Sequence, residues 1–147
     1  RYFCFFIRAN MYVHNFSKRI RYGETDQMGY LYYGNYALLY EIGRSEAIRS
    51  LGLSYREMEA EQKIMMPVIS VESRYLAPLK YDDLINIRTI LHDVPGKLIH
   101  FFHEIYNGEN QLCHKAEVKL FFVDMISQKR VSAPTMLVDQ LRPYFET

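Results

Sequence analysis

An aspartate shortly ahead of a helix-like segment is the feature of this sequence with the clearest chemical use. Asp26 lies in the stretch RYGETDQMGYLYYGNY, residues 21–36, and a helical pattern begins where this stretch ends. The start of a helix presents backbone N–H groups without intrahelical partners and carries a partial positive charge. A carboxylate facing such donors could attack a carbonyl group that they polarise. An Asx turn is the structural alternative, because Asp is common in loops of this kind.

Neighbouring residues supply further candidates for such a site. Gly23 and Gly29 allow the backbone to turn tightly. Tyr33 lies at the approach to the helix, where its backbone N–H could point at a ligand. Glu41, on the predicted helix, is a reserve candidate for a general base, but an ion pair with Arg44 is the stronger interpretation.

The histidines and cysteines do not suggest a metal site or another nucleophile. His100 and His103 are three apart on a predicted strand, so they face opposite sides of it, and the other histidines have no partner at metal-ligand spacing. Cys4 and Cys113 show neither metal spacing nor a disulfide-rich pattern. We therefore expect no metal site and a structural role for Cys113. A reduced, cytoplasmic setting fits this cysteine content.

Length and composition favour one globular domain, residues 1–147. Hydrophobic residues make up 49% of the chain and charged residues 24%, and the net charge is +1. A nucleic-acid-binding protein would normally carry a concentrated basic stripe, and the sequence has none. The apolar run Tyr2–Ile7 is too short to span a bilayer. Residues 1–10 precede Met11, and we interpret them as either upstream sequence or an expression-derived extension.

The residues after the aspartate follow a helical pattern. From Tyr36 to Leu51 the apolar side chains recur at spacings of three and four, which places them on one face. Asn35 is the expected N-cap. Gly43 weakens a helix relative to alanine, so its presence predicts a close approach of the helix to a sheet. A second short helix is expected over Ser54–Ala60, with Ser54 as its cap.

Alternating polar and apolar residues predict strands before and after the long helix in the sequence. The predicted strands are Lys18–Tyr22, Ile69–Leu76, Leu84–Leu91, Leu98–Tyr106 and Gln111–Val123. Residues 135–143 form either a terminal helix or an irregular tail. This order predicts an α+β fold in which one antiparallel sheet curls around the helix. The other face and the edges of the sheet still need cover, which favours a homodimer or a larger assembly.

The stretch from Arg21 to Gly52 resembles the signature of hotdog-fold acyl-CoA thioesterases. The match is to the 4-hydroxybenzoyl-CoA thioesterase group and to the similar bacterial enzymes associated with the Tol-Pal region. The order of elements agrees over roughly Lys18 to Val123, and MPVISVESRYLAPLKYDDLINI resembles the family's second and third strands. The resemblance implies a five-stranded antiparallel sheet wrapped around one long helix. It also implies active sites at a dimer interface and tetramers formed from pairs of dimers.

The same resemblance assigns roles to residues of the site. It implies that Asp26 is the catalytic carboxylate and that the Tyr33 backbone N–H polarises the carbonyl. Asn35 and Tyr36 match the Asn-Tyr pair that follows, and with Gly29 they are expected to bind substrate. Many relatives carry a histidine where this chain has Tyr33. The backbone donor survives that change, whereas any role of the histidine side chain is lost.

We therefore expect a hydrolase that cleaves acyl-CoA, or an acyl-carrier-protein thioester, to a free acid and a thiol. CoA is part of the substrate, and no further cofactor is expected. Arg74, and Lys97 in the turn after Pro95-Gly96, are candidates for binding the CoA phosphates. One alternative is a hotdog-fold hydratase or dehydratase, whose chemistry usually needs a histidine beside the acid. The other is a non-catalytic acyl-CoA-binding protein.

Overall fold

A computed structural model describes residues 10–146 of the chain. Residues 1–9, which include Cys4 and nearly all of the segment interpreted as upstream sequence or extension, lie outside the described residues. The elements are β1 (Tyr12–Arg19), α1 (Tyr36–Ser50), α2 (Tyr55–Gln62), β2 (Ile64–Met65), β3 (Val68–Tyr75), β4 (Leu84–Leu91), β5 (Leu98–Tyr106), β6 (Leu112–Asp124), β7 (Arg130–Val131) and α3 (Thr135–Leu141). None of the helices within residues 10–146 is long and apolar enough to cross a bilayer.

The strands form one antiparallel sheet in the order β1-β4-β5-β6-β3. The two-residue strands β2 and β7 extend it along the C-terminal end of β6. The sheet thus has the five long strands that the sequence predicts, and the two short additions raise the strand count to seven. The predicted strand Lys18–Tyr22 is wrong in its bounds, because β1 begins at Tyr12 and pairs with β4 from Tyr12–Leu91 to Arg19–Leu84.

The long helix packs against β1, β4 and β5, and Gly43 makes this contact possible. A Cβ atom at position 43 would lie 2.6 Å from Thr89 Oγ1 and 2.8 Å from Ile87 Cγ2. Such distances are shorter than real side chains tolerate, so the predicted close approach of helix and sheet at Gly43 is confirmed. The cap of the second helix is also confirmed, since the Glu57 N–H donates to Ser54 Oγ at 3.1 Å.

Two neutral histidines are buried between the helix and the sheet. The Tyr40 ring stacks between His103 and His114, with ring centroids 5.5 and 5.6 Å away. Tyr40 also hydrogen-bonds His114 Nε2, and His103 Nδ1 lies 3.0 Å from Thr89 Oγ1. Burial, followed by the nearby charge of Arg44 and by His114, lowers the pKa of His103 to about 3. Burial lowers the pKa of His114 to about 4.

These lowered pKa values predict that acid destabilises the fold before most carboxylates titrate. Above the ordinary histidine pKa of about 6.5, both groups are neutral in the folded and unfolded chains. As the pH falls below that value, the unfolded chain takes up protons that the folded chain refuses. The free energy of unfolding should therefore fall by up to about 1.4 kcal/mol per pH unit for each histidine. Urea titrations between pH 6.5 and 5 measure this slope.

A matched pair of variants assigns that slope to the buried ring. His103→Gln should remove about half of it. The same change at the exposed His92 should leave it unaltered. Equal slopes for the wild-type protein and the His103→Gln variant would contradict the assignment.

Candidate active site

Asp26 stands at the start of a tight loop between β1 and α1. Its backbone N–H donates to the Tyr30 carbonyl at 2.8 Å, and its carbonyl accepts from the Gly29 N–H at 3.0 Å. Its Oδ1 accepts from the Met28 N–H at 2.9 Å and from the Tyr30 N–H at 3.2 Å. The Asx-turn interpretation is therefore correct for Oδ1. Oδ2 has no hydrogen-bond donor within residues 10–146, so it is the oxygen available for chemistry.

Gly29 is required by the shape of this loop. Its φ of +78° lies in the left-handed region, where a side chain would be strained. Its N–H is bonded within the loop, and its carbonyl accepts from the Tyr81 N–H at 2.9 Å. Both polar groups of Gly29 are thus used to hold the loop, and its contact with substrate stays a prediction.

The start of the long helix carries free backbone donors. A 3-10 turn over Tyr33–Asn35 leads directly into α1. The Asn35 N–H donates to the Tyr32 carbonyl and the Tyr36 N–H to the Tyr33 carbonyl. Among the described residues, the N–H groups of Tyr33 and Gly34 have no acceptor. Tyr33 is 69% exposed as a residue. These donors add to the partial positive charge of a 15-residue helix.

Asn35 joins the two parts of the site instead of capping the helix. It already has helical dihedral angles, φ −94° and ψ −5°, and makes no cap hydrogen bond. Asn35 thus holds the predicted N-cap position directly before α1, but its side chain does not supply the expected cap. Its Nδ2 donates to the Glu24 carbonyl at 2.8 Å, and the Tyr32 N–H donates to the same carbonyl at 3.0 Å. The segment that precedes Asp26 is thus bonded to the segment that carries the free N–H groups.

Tyr36 lies beneath the site and is almost fully buried. Its ring lies against Tyr75 and His114, with centroids 4.9 and 4.2 Å away. Burial, followed by the nearby Tyr75 and Cys113, raises the pKa of Tyr36 to about 12. Tyr36 is therefore a neutral phenol at physiological pH. It supports the start of α1 from below, and a direct substrate contact stays a prediction.

The other predicted residues lie at different places. Arg74 is the second-last residue of β3, opposite Lys115 of β6, and it lines a cavity with Arg88 and Glu104. The start of β4 lies close to the Asp26 loop. Lys97 comes after the other end of β4, so within one chain it lies at the end of the sheet that is far from Asp26. Glu41 is exposed and accepts from Ser45 Oγ at 3.0 Å. Among the described residues it forms no ion pair with Arg44, so that expectation is wrong.

Glu24, in the same loop, was not among the residues singled out from the sequence. Glu24 Oε1 accepts from Lys18 Nζ at 2.6 Å and from the Arg21 N–H at 2.7 Å. The spacing of Arg21 and Glu24 is that of a capping box, which is the one signal that could have drawn attention to Glu24. The ion pair with Lys18 depends on where β1 ends, and the predicted strand had the wrong bounds.

Comparisons of the sequence with known proteins give matches over most of the chain. A family model described as the thioesterase-like superfamily matches residues 20–141. The chain is 35% identical over 122 residues to the putative acyl-CoA thioesterase YneP of Bacillus subtilis, covering 82% of this chain and 87% of that protein. It is 31% identical over 124 residues to the acyl-CoA thioester hydrolase YbgC of Escherichia coli, covering 84% and 92%.

The fold agrees with a solved structure as well. A variant of 4-hydroxybenzoyl-CoA thioesterase, in complex with 4-hydroxybenzoyl-CoA, matches with a TM-score of 0.80 at 20% identity. The match covers 88% of this chain and 99% of that chain. At this identity the likeness concerns the fold alone, and it confirms the α+β hotdog architecture that the sequence predicts.

Proposed function

The chain belongs to the thioesterase-like superfamily, and from that premise we propose that it is an acyl-CoA thioesterase, which hydrolyses acyl-CoA to a free acid and CoA. One observation carries the assignment of the reacting groups. Asp26 has one oxygen held by two N–H groups and the other free. The free N–H groups of Tyr33 and Gly34 are tied to the same loop through the Glu24 carbonyl. A carboxylate and two unpaired donors are what hydrolysis of a thioester requires.

In the proposed reaction the thioester carbonyl oxygen accepts the Tyr33 N–H, with Gly34 as a second donor. Negative charge develops on that oxygen during attack, and the helix start stabilises it. Asp26 Oδ2 then has two possible roles. It attacks the carbonyl carbon and expels the CoA thiolate, which leaves an anhydride for water to cleave, or it takes a proton from the attacking water. Both routes consume one water molecule and need no cofactor.

The two routes differ in where the oxygen of water ends. In a single turnover in oxygen-18 water, label in the Asp26 carboxylate excludes a purely general-base route. Label confined to the product acid excludes attack of water on the Asp26 side of an anhydride.

The function itself is tested by thiol release from a panel of acyl-CoA thioesters. Aryl, short-chain and long-chain acyl groups belong in the panel, because nothing in the site fixes the acyl group. We expect free CoA from at least one of them. No release from any would contradict the proposed function. Binding without release would instead favour the non-catalytic alternative.

We further propose that the working unit is a homodimer formed along β3. This strand pairs with β6 on one side and has no partner on its other side within the described residues. The long helix packs mainly on β1, β4 and β5. It meets β3 through the Tyr40–Ser73 hydrogen bond and the Tyr36–Tyr75 ring contact, which leave much of this face of β3 uncovered. Val71 and Tyr75 are 48% and 54% exposed. A free edge with an exposed apolar row favours pairing with a second sheet.

A charge placed on this edge should separate the copies. Val71→Glu should shift the protein toward a monomer in sedimentation velocity, because it would bury an unpaired carboxylate at the interface. The matched control is Ile126→Glu, since Ile126 is 82% exposed in the turn after β6. That control should sediment as the wild-type protein does. A Val71→Glu variant that still sediments as the wild type would place the interface elsewhere.

A further inference from the structure

We propose that Glu24 is a positioning residue for the hydrolysis described above, acting with Lys18 to hold Asp26 in place relative to the start of α1. The inference rests on the proposed function, because it assigns the carboxylate and the N–H groups that must be kept together. In this proposal Glu24 touches neither the substrate nor the reacting atoms. Its side chain binds the end of β1, and its backbone carbonyl binds the turn that leads into α1.

The side chain of Glu24 fixes the loop to β1. Lys18 Nζ and the Arg21 N–H both donate to Oε1, at 2.6 and 2.7 Å. The Lys18 and Glu24 side chains are 18% and 20% exposed, so the pair is partly shielded from water. Burial alone would raise the pKa of the Glu24 carboxyl. The hydrogen bonds and charges of Lys18 and Arg21 outweigh this effect and bring its pKa below the usual value.

The backbone of Glu24 fixes the same loop to the helix. Its carbonyl accepts from Asn35 Nδ2 and from the Tyr32 N–H, at 2.8 and 3.0 Å. Asp26 follows two residues later, and Tyr33 follows Tyr32 directly. Glu24 is therefore a junction between the end of β1, the Asp26 loop and the first turn before α1.

Such a junction matters because a reacting group tolerates little displacement. A misplacement of about 1 Å can cost about a hundredfold in rate. The other end of the Asp26 loop is bonded to residues 79–81, through the Leu31 N–H to the Leu79 carbonyl and the Tyr81 N–H to the Gly29 carbonyl. The Lys18–Glu24 pair holds the end of the loop that leaves β1. Loss of the Lys18–Glu24 pair should therefore loosen Asp26 without removing any group that contacts substrate.

The experiment compares Glu24→Gln with a matched ion-pair variant. Glutamine keeps an acceptor for the Arg21 N–H but loses the charge that faces Lys18. We expect kcat to fall about ten- to a hundredfold, with KM within about twofold of wild type. Glu104→Gln breaks the Arg88–Glu104 pair, which joins β4 and β5 at 2.8 Å, and the Glu104 side chain is about as exposed as that of Glu24. Its kcat should stay at the wild-type value, even where its Tm falls as much as that of Glu24→Gln.

A double variant tests the partnership directly. Lys18→Met should reproduce the loss in kcat. Lys18→Met combined with Glu24→Gln should be no slower than either single variant, because both remove the same link. Independent, multiplying losses would overturn the proposal, as would equal kcat values for Glu24→Gln and Glu104→Gln.

Hydrogen exchange tests the positioning role of Glu24 independently of the proposed hydrolase activity. The Met28 and Tyr30 N–H groups donate to Asp26 Oδ1, so their exchange reports how well the carboxylate is held. Both should exchange faster in Glu24→Gln than in Glu104→Gln. Unchanged exchange would overturn the positioning role. Faster exchange in a protein that releases no thiol would support that role and contradict the proposed function.

Discussion

Asp26→Asn is expected to lower kcat for acyl-CoA hydrolysis by about a thousandfold or more, with folding and substrate binding retained. An asparagine has the same shape as the aspartate, and its amide oxygen can still accept from the Met28 and Tyr30 N–H groups. What changes is the other position, where an NH₂ group replaces Oδ2. An amide nitrogen can neither attack a carbonyl carbon nor take a proton from water. The loss should therefore fall on the chemical step alone.

The measurement is free-thiol release, together with calorimetric binding of a non-hydrolysable acyl-CoA analogue. Asp124→Asn is a close control, because Asp124 Oδ1 accepts from the Ile126 and Ser127 N–H groups at 2.9 and 2.8 Å. It is an aspartate whose side chain makes the same kind of turn, placed at the last residue of β6 and away from the site. Asp124→Asn should keep wild-type kcat. An unchanged rate of thiol release by Asp26→Asn would show that Asp26 is not the reacting group.

The elements with a strong internal pattern could be predicted from the sequence. The strands Leu84–Leu91 and Leu98–Tyr106 match their predicted bounds, because alternation of buried and outward side chains is a local property. The long helix begins at Tyr36 as expected and ends within one residue of the prediction. Gly43 was informative because a residue that weakens a helix needs a compensating contact.

The errors concern features that depend on distant partners. The first strand is longer than predicted because β4 offers it eight backbone partners, although its own sequence, YVHNFSKR, is mostly polar. Asn35 was expected to cap the helix next to it. Its side chain instead donates to the Glu24 carbonyl, 11 residues away. A local pattern cannot show which distant backbone group the folded loop brings to the Asn35 side chain.

The site divides in the same way. The helix start could be predicted from short-range spacing, and Asp26 could be named as the candidate carboxylate from the same spacing and from the resemblance to a known family. The link between them could not, since the Glu24 contacts exist only after the loop has closed on β1. Reactive groups are thus easier to find from a sequence than the residues that hold them in place.

Tyr33→Pro is the second substitution with a large expected effect, because it removes the proposed carbonyl donor and little else. Proline lacks a backbone N–H, and the Tyr33 N–H has no acceptor among the described residues. The first position of a helical turn suits proline. Tyr32 before it has φ −63° and ψ 132°, the extended conformation that a residue preceding proline prefers. The chain should therefore fold normally.

Loss of one such donor typically lowers kcat by about a hundred- to a thousandfold, and we expect a loss of this size in thiol release. Tyr33→Ala is the matched control, since it removes the same ring but keeps the N–H, and its kcat should stay within about threefold of wild type. Circular dichroism should show equal helix content in both variants. If Tyr33→Ala lost as much activity as Tyr33→Pro, the phenol ring would be the important part of the residue. If Tyr33→Pro kept full activity, the oxyanion would have to be stabilised by other donors, of which the free Gly34 N–H is the nearest in the chain.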